Sequence, residues 1–71
     1  MQSQKKIREL FKEHYGYELK KGEMRVSYHN AHQASIRLYS RSTGQLIQEV
    51  TVRCENPMGG QLIDWIYNYQ W

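Results

Sequence analysis

The sequence predicts a small α+β domain of order α-β-β-β-α, a three-stranded antiparallel sheet with both helices packed on one face. Three observations carry this prediction. Apolar residues near the N-terminus recur at helical spacing, three central segments alternate apolar with polar residues, and a helix-start signal follows the last of them. The chain has 71 residues, which fits one domain over 1–71. A chain this short buries only ~60% of the surface its unfolded form exposes. It can hold a thin core, with no room for a deep catalytic cavity beside it.

The first helix is predicted over residues 3–14. Ile7, Leu10, Phe11 and His14 fall at i, i+3, i+4 and i+7, one stripe of a 3.6-residue period. Ser3 suits the N-cap, and Gly16 supplies the left-handed residue beyond the end. Lys5 and Lys6 oppose the helix dipole in the first turn, at a cost of a few tenths of a kcal/mol each, roughly. A connection over 17–23 turns at Gly22 and tucks Leu19 under the core.

The first strand, 24–29, alternates Met24, Val26, Tyr28 with Arg25, Ser27, His29. "NAHQ" turns the chain. The second strand, 34–41, sets Ala34, Ile36, Leu38, Ser40 against Ser35, Arg37, Tyr39, Arg41. "STG" at 42–44 closes a hairpin, with Gly44 placed for a positive φ. In the third strand, 45–54, Leu46, Val50, Val52 and Cys54 share one phase, and Ile47, Glu49, Thr51 and Arg53 share the other. Asn56 then suits an N-cap and Pro57 the first helical position. Met58, Leu62, Trp65, Ile66 and Tyr69 make the inward stripe of the last helix. Gly59 and Gly60 weaken its first turn by ~1 kcal/mol each against alanine; close packing on a strand accounts for them.

Two surfaces are left uncovered by this scheme. If both helices cover the Val26–Ile36–Val50 side, the other sheet face carries Arg25, His29, Arg37, Tyr39, Arg41, Ile47, Thr51 and Arg53, with Glu49 as its acid. Guanidinium groups pair with phosphate and stack on flat rings, and a strand tyrosine offers a platform for an unstacked base. The residues expected to bind single-stranded nucleic acid are therefore Arg25, Arg37, Tyr39, Arg41 and Arg53. The second surface is a row on the last helix, Ile63, Tyr67 and Trp71 at i, i+4 and i+8. It suits a protein partner or self-association as a dimer.

The α-β-β-β-α order is shared with double-stranded-RNA-binding domains. Those domains set a lysine cluster at the start of their second helix, where this chain reads "NPMGGQLID" without a base. The order is similar and the chemistry differs.

Composition narrows the function classes. A formal charge of +3 permits a polyanionic partner. The one cysteine, Cys54, cannot form an intramolecular disulfide, and its phase places it on the buried face as a small hydrophobe. No stretch has signal-peptide or membrane-span length, so the expected location is cytoplasmic, as a complete gene product. His29 and His32 lack the spacing of a zinc site, and "NPMGGQ" lacks the lysine of a P-loop. The predicted function is non-enzymatic, with no metal and no cofactor: a small nucleic-acid-associated regulatory protein, or alternatively a protein-interaction module or inhibitor.

Overall fold

The computed structural model describes residues 4–55 and 57–68, with only the helical backbone at 57 and 58. The order is α1 (Gln4–Tyr15), β1 (Glu23–Asn30), β2 (Gln33–Tyr39), β3 (Leu46–Arg53) and α2 (Pro57–Tyr67). The strands form an antiparallel meander in the order β1-β2-β3. The predicted caps Ser3 and Asn56 lie outside the described residues, as do Tyr69 and Trp71.

One sheet face meets both helices. Met24, Val26, Ala34, Ile36, Leu38 and Val52 are buried there, in one cluster with Ile7, Leu10 and Phe11 of α1 and Leu62, Ile63 and Ile66 of α2. Fully burying an aliphatic side chain is worth roughly 1.5–3 kcal/mol, which sets the facing side of every strand. Leu19 is buried beneath the connection, as its position predicts. The α2 helix covers the strands directly, and α1 packs mainly along α2.

Glycine sets two of these contacts. A Cβ on Gly59 would stand 2.7 Å from the carbonyl oxygen of Arg53, so the first turn of α2 can rest on the end of β3 only without a side chain. From there α2 crosses to β1, where the Tyr67 ring lies 4.6 Å from that of Tyr28. A Cβ on Gly22 would stand 2.5 Å from the Tyr39 carbonyl oxygen, which lets the connection close against the end of β2.

The hairpins differ in how they turn. Gly44 has φ 75°, and the 40–45 turn is tied by Ser40 N–H to Gln45 O at 2.8 Å and Gly44 N–H to Ser40 O at 2.8 Å. The Ala31–His32 loop has no positive φ. A two-residue loop without one does not match strand twist, and one extra residue, His29, is accommodated between the Tyr28–Ala34 and Asn30–Gln33 pairs. Asn30 Oδ1 accepts the His32 N–H at 2.8 Å.

A second bulge lies in β3. Leu38 pairs Gln48, but Tyr39 pairs Leu46, so Ile47 is the extra residue. This corrects the predicted phase of Leu46. Alternation alone puts Leu46 with Val50 and Val52 in the core, whereas the bulge turns it to the open face beside Tyr39, where it is 50% exposed. Cys54 is corrected too. It lies past the end of β3 and is exposed, so the strand phase does not reach it.

Candidate nucleic-acid interface

The open face is built from the residues that point away from the helices. Its cross-strand rows are Glu23–Tyr39–Leu46, Arg25–Arg37–Glu49 and Ser27–Ser35–Thr51, with Gln33–Arg53 at the far end. Like charges placed directly opposite repel, so Arg25 and Arg37 need compensation. Each has it. Arg25 Nη2 lies 2.8 Å from Glu23 Oε2, and its guanidinium carbon sits 5.1 Å from the centroid of the Tyr39 ring. Arg37 Nε donates to Glu49 Oε2 at 2.9 Å. Sequence reasoning missed Glu23, because it fell in the predicted connection; the strand starts one residue earlier and brings its carboxylate onto the face.

The middle row is small and polar. Ser35 is buried, and its Oγ shares a 2.9 Å hydrogen bond with His29 Nε2. The face thus has a small polar middle row with the Arg25–Tyr39–Arg37 group at one end. Arg53 is four residues along β3 from Glu49, about 13 Å at strand rise, and does not join that group. Arg41 leaves the face as well. β2 ends at Tyr39, and Arg41 lies in the turn, where its Nη2 points to the Gly22 carbonyl oxygen at 3.4 Å. The predicted five-residue set is therefore one cluster of three, Arg25, Arg37 and Tyr39, and two outliers.

The excess of positive charge lies elsewhere. Residues 4–22 and Arg41 hold seven of the ten Lys and Arg against three Glu. Among the described residues the ion pairs are Arg25–Glu23 and Arg37–Glu49, and none involves Lys5, Arg8, Lys12, Lys21 or Arg41. Arg8 instead ties α1 to the connection, its Nη1 donating to Leu19 O and Lys20 O, each at 3.2 Å.

The row predicted on α2 is also corrected. Ile63 is 2% exposed and belongs to the core. The α2 helix contacts both α1 and the sheet, so its apolar arc is wider than a single stripe. Tyr67 is 60% exposed and meets Tyr28, which is 39% exposed; Trp71 lies outside the described residues.

Tyr15 is a half-buried neighbour of the core whose hydroxyl donates to Thr51 O at 3.3 Å. Burial pushes its pKa above the ordinary 10.0, against a lowering by a backbone hydrogen bond from Arg53. No group of three or more His, Cys, Asp or Glu among the described residues is placed to hold a metal ion. None of the described helices is long and apolar enough to cross a membrane. The chain matches no known family model, no curated protein and no solved structure.

Proposed function

We propose that this chain is a small non-enzymatic cytoplasmic protein that binds single-stranded nucleic acid on its open sheet face. The carrying observation is the Arg25–Tyr39 stack beside Arg37, on the face opposite the one that α1 and α2 cover. A base can extend the stack, and a phosphate can compete with Glu23 or Glu49 for a guanidinium. Exposed ion pairs of this kind are worth ~0–1 kcal/mol, so exchanging one partner for another is cheap. Arg53 stands outside this group and Arg41 approaches it only from the turn.

The test is binding of labelled 20-nucleotide single strands, DNA and RNA, at low salt, with Tyr39→Ala and Arg37→Gln alongside. Loss of one stacked base costs ~1–3 kcal/mol, about 5- to 150-fold in affinity. Absence of binding by the unaltered protein, or variants that both bind as tightly as it does, overturns the reading.

Protein contact is the second reading, favoured by the exposed Tyr67–Tyr28 pair where α2 meets β1. It predicts a concentration-dependent mass in solution that Tyr67→Ala returns to that of a monomer. A monomer at all concentrations removes the self-association form of it.

A further inference from the structure

Three shallow depressions run end to end around the molecule from the sheet to α1. The first is lined by Ser40, Arg41, Ile47 and Gly22. It shares Lys21, Gly22 and Arg41 with the second, of about 440 Å³, which continues to Arg8 and Leu19. That one shares Arg8, Glu18 and Leu19 with the third, which ends at Lys5 and Lys12. Together they form one groove with five cations along it. Glu9 and Glu18 are its acids, and neither lies within ion-pair distance of a groove cation.

The groove follows from the sequence. Lys5, Arg8 and Lys12 fall at i, i+3 and i+7, a stripe on the side of α1 away from Ile7, Leu10 and Phe11. From Lys5 to Lys12 this stripe spans about 10 Å. The floor stays open at Gly22, where a side chain would strike the Tyr39 carbonyl at 2.5 Å and Ile47 Cδ1 at 3.3 Å. Leu19 is buried beneath the middle. The groove starts beside Tyr39 and Ile47, at the same end of the sheet as the Arg25–Tyr39–Arg37 group.

We infer that this groove carries the phosphate backbone of single-stranded nucleic acid off the sheet and along α1, with Lys21 and Arg41 as the first contacts and Lys5 and Lys12 as the last. The inference rests on the reading of the sheet face and deepens it. The two surfaces divide the work: the sheet offers a ring to a base, and the groove offers uncompensated cations to phosphates. Cations already paired to carboxylates give little further counterion release, whereas free ones give their full share.

The experiment is a salt titration of single-strand binding by the full chain. For single strands each phosphate neutralised contributes a slope of about −0.7 in log K against log salt. Lys21→Gln with Arg41→Gln should reduce the slope by about 1.4, and so should Lys5→Gln with Lys12→Gln. All four positions are exposed, and unchanged circular dichroism and thermal midpoint establish that the fold is retained. Tyr39→Ala should lower affinity at every salt concentration with the slope unchanged. Arg53→Gln, at the far end of the sheet, should change neither. If the unaltered protein fails to bind, the sheet reading and the groove both fall. If Tyr39→Ala weakens binding but the groove variants keep the full slope, the groove alone falls. If Arg53→Gln lowers the slope as much as each groove cation does, the attraction is diffuse net charge and the groove again falls.

Discussion

The open sheet face and the α1 groove carry the same kinds of residue in opposite states. On the sheet, Arg25 and Arg37 stand opposite one another and each is held by a glutamate within 3 Å. Along the groove, Lys5, Lys12 and Lys21 have no carboxylate partner among the described residues, and Arg8 and Arg41 bond there only to backbone carbonyl oxygens, which leave their charge in place. The difference is one of spacing. Strand geometry puts Glu49 on the rung of Arg37, roughly 5 Å away, and Glu23 two residues from Arg25 on the same face of β1. The helix and its connection spread cations along one side and leave Glu9 and Glu18 out of reach. Counting arginines on a face is therefore a poor guide to where an anion is attracted. The partner of each arginine decides it.

The largest effect expected is at the junction of the two regions. Gly22→Ala places a methyl group 2.5 Å from the Tyr39 carbonyl and should cost ~2 kcal/mol in a denaturant titration, while also filling the start of the groove. A stability equal to that of the unaltered protein would show that the connection does not close on β2 as described. Next in size is Glu49→Gln. It releases Arg37 and makes the sheet resemble the groove, so the salt slope for single strands should steepen by about 0.7. An unchanged slope would mean that Arg37 does not face the bound strand. Smaller still is the folding value of that ion pair. A double-mutant cycle over Arg37 and Glu49 should return ~0.2–1 kcal/mol, falling with added salt. A larger coupling would make the sheet arginines structural and unavailable.

The smallest effect belongs to Tyr15, which is in neither region. Its raised pKa means that above pH 10 the unfolded chain loses the proton first, so stability is full below that pH and declines as pH rises through the folded value. Tyr15→Phe should leave neutral-pH stability within ~1 kcal/mol and flatten this alkaline decline. A decline of the same steepness in the variant would remove Tyr15 as its source.

Much of this molecule is legible in its sequence, and the illegible parts share a cause. The α1 stripe and the buried phases of β1 and β2 follow from periodicity, and Leu19 from being the aliphatic residue of its connection, because burial of large aliphatics dominates those choices. Gly59 is legible as a close approach to a strand, whereas Gly22 reads only as a turn and its approach to β2 does not show in the sequence. What periodicity cannot give is any feature that depends on a second element. Leu46 faces outward because β3 accepts an extra residue against β2. Ile63 is buried because α1 lies against the side of α2 that a single sheet contact would leave bare. Arg41 leaves the sheet because β2 ends where the Ser40 turn begins, with Ser40 Oγ accepting from Ser42 N–H at 3.3 Å and Thr43 N–H at 3.2 Å. The groove spans three segments and has no signature in any one of them.

The extra residue in β3 has a consequence for how the chain can vary in length. Gln48 faces inward and Leu46 outward already, so excising Ile47 would leave an uninterrupted ladder with every neighbour on its present side. Deleting a residue from 49 to 52 would instead turn over those between the cut and the bulge. Position 47 is thus the natural place for this strand to shorten without inverting its faces.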